Sequence, residues 1–232
     1  MDKLFIVIPA YNEEANILNV VEDVRAAGYD YVVINDGSTD DTARVCEDNG
    51  INYVNLIQNL GIGGAVQTGH LYAYTHGYDV DIQVDGDGQH DISYVPDLVR
   101  AVQEGADLAI GSRFVEESDG FQSSFMRRVG IKWLKHCIKL FTGLTINDST
   151  SGFRASGRRA IELFAHSYPS DYPEPESIVA ANKQGLVVRE VPVAMRERQG
   201  GTSSINALKG AYYMVKVTLA IAIEGFGKRG RG

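Results

Sequence analysis

Through its first half the chain alternates short apolar runs with amphipathic helical stretches, and that rhythm leaves few architectures open. Residues 4–8 read as a buried strand, after which Asn12 can cap a helix whose Ile17, Val20, Val21 and Val24 share one face. Gly28 ends that helix. Residues 31–34, 51–57, 82–84 and 107–110 give further strands, separated by helices over 41–49, 64–76 and about 95–104. Strands alternating with helices build an open, mostly parallel α/β sheet. Ligands bind such sheets beyond the carboxyl ends of the strands. That rule puts loops 9–13, 35–40, 58–64, 85–90 and 111–114 along one rim.

The second half is less regular. Residues 124–142 form a long amphipathic helix with Gly130, Trp133, Leu134, Cys137, Ile138 and Phe141 on one face. Another face carries Arg128, Lys132, Lys135 and Lys139. A polar loop over 147–155, a helix within 173–184 and a strand over 187–193 follow. The flexible stretch 199–204 opens the last helix, about 205–224. With no repeat or linker, the chain reads as one domain over 1–204 with a C-terminal amphipathic helix and basic tail over 205–232.

The chemistry concentrates in Asp85-Gly86-Asp87-Gly88-Gln89-His90, two carboxylates at i and i+2 where a strand ends. The glycines let the backbone turn, so neighbouring side chains converge. Hard oxygens from Asp85 and Asp87 suit Mg²⁺ or Mn²⁺ and leave coordination positions for a ligand's phosphates. A calcium loop of the EF-hand type also begins D-x-D, but His90 stands where it needs glycine and Pro96 where it needs glutamate. A solvated acidic turn is the remaining alternative. A G-x-G-x-x-G dinucleotide site is excluded, because Pro9-Ala10-Tyr11-Asn12-Glu13 follows the first strand, and no P-loop lysine motif occurs. Acidic rim loops cannot hold a polyphosphate unaided, so a bridging metal is the economical arrangement.

The net charge of −8 argues against a general nucleic-acid partner, but it is unevenly spread: −15 over residues 1–111 and +7 over 112–232. The second half is therefore suited to something anionic. Cys46 and Cys137 form no motif, which fits a reduced, cytoplasmic setting. Pro9 cuts short the first apolar run, so it does not read as a signal peptide. No stretch reaches the roughly 20 apolar residues of a membrane span.

Five segments in order carry a resemblance. Ile8 to Glu13, Asn35-Asp36-Gly37-Ser38-Thr39-Asp40, Asn59 to Ala65, Gln83 to His90 and Gly111-Ser112-Arg113-Phe114 resemble the motifs of family 2 glycosyltransferases. They are most similar to the branch containing dolichol-phosphate mannose synthases and bacterial polyprenyl-phosphate glycosyltransferases. Asp148 to Ala155 and Arg198 to Ser203 extend the likeness, which covers residues 3–205.

The resemblance implies a GT-A type, Rossmann-like fold with a C-terminal helical extension, a UDP- or GDP-linked sugar donor, and Mg²⁺ or Mn²⁺. It implies that Pro9, Ala10, Tyr11, Glu13 and Asp36, with Gly64, Asp85 and Gly86, hold the donor. Asp85, Asp87 and Gln89 would hold the metal. Catalytic roles fall on Asp87, Arg113, Arg127, Arg128 and Arg198, and the acceptor phosphate on Arg127, Arg128, Arg196, Arg198 and Ser203. Read from the residues alone, the alternatives are that Asp36 caps the next helix, that Arg113 is half of a structural ion pair, and that Gly61, Gly63 and Gly64 permit a tight helix entry. Three positions depart from the pattern. Asn35 replaces an acidic residue, Ser204 replaces a lysine, and Tyr172-Pro173-Glu174-Pro175-Glu176 leaves open which glutamate takes the usual acidic place.

A hydroxyl acceptor requires a general base, whereas a phosphate acceptor is already anionic and requires cations. Arg127, Arg128, Arg154, Arg196 and Arg198 favour the phosphate. The expected function is an inverting, metal-dependent transfer to a polyprenyl (dolichyl or undecaprenyl) phosphate. Transfer to a sugar hydroxyl in glycan assembly is the alternative. The basic face of 124–142, with Lys228, Arg229 and Arg231 after an apolar helix, predicts peripheral attachment to the cytoplasmic face of a membrane. A small integral-membrane partner would complete the anchoring.

Overall fold

The computed structural model describes residues 2–114, 125–196 and 207–226, except the side chains of 125–129, 207–214 and 226. Strands β1 (Leu4–Ala10), β2 (Asp30–Asn35), β3 (Tyr53–Asn55), β4 (Val80–Gln83), β5 (Leu108–Ser112), β6 (Arg154–Gly157) and β7 (Val188–Pro192) form one sheet in the order β3-β2-β1-β4-β6-β5-β7. β6 runs antiparallel to both of its neighbours, and every other pairing is parallel. The helices are α1 (Ile17–Ala26), α2 (Thr42–Asp48), α3 (Gly61–Thr75), α4 (Val95–Gln103), α5 (Phe125–Thr142), α6 (Arg158–His166), α7 (Pro173–Lys183) and α8 (Ala207–Phe226).

The alternation of β1 shows how the core is divided. Ile6 and Ile8 pack on one face with Ile17, Val20, Val21 and Val24 of α1. Phe5 and Val7 pack on the other with Ala65 and Ala73 of α3. Burial on both faces explains why β1 reads as an unbroken apolar run. A third cluster joins Leu108 and Ile110 of β5 to Leu134 and Ile138 of α5, Ile178 of α7, and Val217 and Ile221 of α8. Full burial of Val217 and Ile221 contributes roughly 1.5–3 kcal/mol each, so α8 is docked on the sheet's helical cover.

The structure corrects several expectations. Asn12 does not cap α1, which starts at Ile17 after Asn16. Asn12 sits in a turn at φ 57°, a left-handed conformation that asparagine tolerates. Part of the polar 147–155 loop is strand, since Arg154 and Ala155 begin β6, and α6 was not anticipated. On α5, Trp133 is 51% exposed instead of buried, and its Nε1 donates to Thr218 Oγ1 at 2.9 Å. Lys132 and Lys139 are exposed, but Lys135 is half-buried and donates from Nζ to Asn147 Oδ1 at 2.6 Å.

Candidate active site

β1, β2 and β4 run parallel, so their carboxyl ends and the start of α3 open on the same side of the sheet. There they enclose a cavity of about 400 Å³. Pro9, Ala10, Tyr11 and Glu13 line it from the end of β1, Asp36 from β2, and Asp85, Gly86 and Asp87 from β4. Asn59, Gly61, Ile62 and Ala65 complete the wall from the entry of α3. Sequence reasoning missed these four as lining residues, although Asn59 to Ala65 stood among the motifs.

Backbone bonds lock the loops together. Asp36 N–H donates to Ala10 O at 2.8 Å, and Gly86 N–H to Pro9 O at 3.2 Å. The first two loops are stitched by side chains: Thr39 N–H donates to Asn12 Oδ1 at 2.8 Å, and Glu13 N–H to Thr42 Oγ1 at 2.9 Å. Gly37 is required where these loops meet, because it has φ +64° and a Cβ there would lie 2.7 Å from Asn59 N.

Asp36 is buried, and its Oδ1 accepts the Leu60 N–H at 2.7 Å. It therefore fixes the start of α3 and does not cap α2. Burial pushes its carboxyl above the ordinary range, and the Leu60 and Gly61 N–H groups oppose that rise. Asn35 makes no wall contact; its Nδ2 donates to Asn55 Oδ1 at 2.6 Å. The departure at this position falls outside the cavity wall.

Asp85 and Asp87 lie on the same wall. Asp85 Oδ1 accepts from Gln83 Nε2 at 2.9 Å, and Asp87 Oδ1 accepts the Gln89 N–H at 3.1 Å. Glu13, Asp36, Asp85 and Asp87 give the cavity four carboxylates, and no Lys or Arg is among its described lining residues. Hard, preoriented oxygens on a partly exposed wall fit a divalent cation that keeps sites for phosphate and water. No group of three or more His, Cys, Asp or Glu side chains that could hold a metal ion by themselves occurs among the described residues.

Other assigned residues fall elsewhere. Gln89 meets Asp87 through its backbone N–H, and its side chain does not line the cavity. Gly64 also stays off the wall: a Cβ there would sit 2.4 Å from Leu60 Cβ, so it serves the tight helix entry. Arg113 forms a buried two-point ion pair with Asp148, Nε to Oδ2 at 2.6 Å and Nη2 to Oδ1 at 2.7 Å. Removing one partner of such a pair costs about 3–5 kcal/mol, so this arginine first secures the end of β5 to the 148–150 turn. Arg196 donates to Asp23 at 2.8 Å and to Asp91 at 3.1 Å. Arg154 is buried and bonds Ser151 O, Ser149 O and Ser177 Oγ, which removes it from the cations open to an acceptor. The side chains of Arg127 and Arg128, and all of Arg198 and Ser203, lie outside the described residues.

The fold is that of a GT-A glycosyltransferase. Glucosyl-3-phosphoglycerate synthase from Mycobacterium tuberculosis, solved with Mn²⁺, UDP-glucose and phosphoglyceric acid, superimposes with a TM-score of 0.72 at 20% identity, covering 100% of this chain and 82% of that one. The model for glycosyl transferase family 2 matches residues 5–163, and the chain belongs to that family. It is therefore a glycosyltransferase. The polyprenol monophosphomannose synthase of Mycolicibacterium smegmatis is 30% identical over 99% of this chain and 91% of its own length. The UDP-N-acetylglucosamine–dolichyl-phosphate N-acetylglucosaminyltransferase of Methanococcus voltae is 31% identical over 83% and 85%.

Proposed function

We propose that this enzyme transfers a sugar from a UDP- or GDP-linked donor to a polyprenyl phosphate, with inversion and with Mg²⁺ or Mn²⁺, at a membrane surface. The observation that carries the reading is the cavity of four carboxylates at the ends of β1, β2 and β4. Tyr11, Glu13 and Asp36 offer polar atoms to a base and ribose, while Asp85 and Asp87 take the diphosphate end. Bound there, a divalent cation supplies neutralisation of the diphosphate leaving group. An acceptor phosphate oxygen forms the new bond to the anomeric carbon as the bond to the donor's diphosphate oxygen breaks, and the electron pair leaves with the nucleoside diphosphate. The acceptor is already ionised, so the protein's task is orientation and charge placement.

The polyprenyl and dolichyl acceptors in the relatives' names support the phosphate acceptor. Arg127, Arg128, Arg198 and Ser203 remain its candidate ligands. One observation favours the hydroxyl alternative: burial pushes the Glu174 carboxyl up, against the pull of Arg154, in the field of Asp85. A hydroxyl acceptor would call on it as a general base, whereas Glu174 is not among the cavity's described lining residues.

Transfer assays decide between them. With Mn²⁺ and a panel of nucleotide sugars, the proposal expects product on polyprenyl phosphate and none on oligosaccharide acceptors, with a β-linked product from an α-linked donor. Excess chelator, or Asp87→Ala in a folded protein, should reduce transfer by at least about 100-fold. Undiminished activity in chelator, or retention of configuration, refutes the corresponding part.

A further inference from the structure

A buried imidazole is built into the back of the Asp85-to-His90 loop. His90 is 5% exposed and lies nearly flat on the Phe153 ring, with centroids 4.8 Å apart and planes 13° apart. Its Nδ1 accepts the backbone N–H of Asp85 at 3.0 Å, which leaves the proton of the neutral ring on Nε2. Nε2 stands 3.6 Å from Asp85 Oδ2, too long for a hydrogen bond but close enough to direct the N–H dipole at the carboxylate. The other oxygen of Asp85 is held by Gln83. From behind, His90 forms an antiparallel bridge with Met195, and Arg196 donates its backbone N–H to Gln89 O at 2.9 Å. Arg196 is itself anchored to Asp23 on α1 and to Asp91.

We propose that His90 is a positioning residue for Asp85. It binds the main chain of that aspartate with one ring nitrogen and faces its carboxylate with the other, so backbone and side chain are fixed together. A carboxylate set in this way meets the donor's cation and diphosphate without reorganising. The proposal rests on the reading of Asp85 as a cation-facing carboxylate. Phenylalanine at position 90 would keep the ring and its stack on Phe153 but lose both nitrogens, which separates positioning from filling space.

The test is Mn²⁺ binding without turnover. Free Mn²⁺ is titrated by electron paramagnetic resonance against the full chain with excess UDP and, in parallel, GDP. Wild type, Asp85→Ala and His90→Phe are compared, and circular dichroism checks each fold. Asp85→Ala should abolish protein-dependent Mn²⁺ uptake, and His90→Phe should weaken it about 10–100-fold. Loss in Asp85→Ala with wild-type binding in His90→Phe overturns the positioning role and leaves the donor site standing. Wild-type binding in Asp85→Ala overturns the donor reading and the proposal with it. If His90→Phe does not fold, the imidazole ¹⁵N shifts of wild type decide: an unprotonated Nδ1 supports the proposal, and a protonated Nδ1 refutes it.

Discussion

Gly152 is a position where one methyl group would bear directly on Asp85. A Cβ there would lie 2.9 Å from both Asp85 Oδ2 and Gln83 Nε2, so the carboxylate and the amide holding it would have to move. Overpacking of this kind costs about 1–3 kcal/mol, and here it is spent on the geometry of Asp85. Gly152→Ala should therefore lower the thermal midpoint by a few degrees and raise the Mn²⁺ needed for half-maximal transfer about 10-fold. A metal titration that overlays wild type would show that Asp85 is not held in place by this contact. The position of Asp85 and Asp87 was legible because a glycine-spaced D-x-D closing a strand converges its carboxylates at the strand's end, and both line the cavity. Gln83, His90 and Gly152 were not, because each matters through an atom it approaches rather than through its own type.

Among the elements, α7 carries a charge conflict that titration exposes. Burial pushes the Glu176 carboxyl up to about 7, and the charge of Asp171, with those of Glu224 on α8 and Glu174, adds to the rise. Its Oε1 is buried with no hydrogen-bond partner. The folded chain therefore holds this proton more tightly than the unfolded chain does. As pH climbs from the ordinary carboxylate range to about 7, ionisation favours unfolding, and above that the penalty is constant. Glu176→Gln should exceed wild type in thermal midpoint by a gap that widens from about pH 5 to 7 and then levels, in a melting series across pH. A gap that narrows with rising pH would contradict the sign. At this scale the β–α alternation was readable because the central strands β1, β2, β4 and β5 are buried on both faces. β6 was hidden, since Arg154, Ala155, Ser156 and Gly157 include no β-branched or aromatic residue. It is a strand because β4 and β5 pair with both of its edges.

For the whole molecule, α5 and α8 present an apolar surface with basic residues among it. Trp133, Leu140, Val215, Leu219 and Ile223 are exposed together with Lys132, Lys139 and Lys216. No described helix is long and apolar enough to cross a membrane. Each basic residue near an anionic bilayer is worth about 1 kcal/mol, so attachment through this surface should be reversible and sensitive to salt. The protein should float with anionic vesicles at low salt, and less at about 1 M, where the Debye length shrinks to about 3 Å. Lys132→Glu with Lys139→Glu should abolish flotation, and unaltered flotation would exclude this surface. The sheet order has another consequence, for the emerging chain during synthesis. β5 is made before β6 yet lies outside it, so β5 cannot join the sheet until residue 157 has left the ribosome and closed the gap. The carboxylates of the first half are thus translated long before Phe153 arrives to support them, and until then the nascent chain carries an open edge at β4.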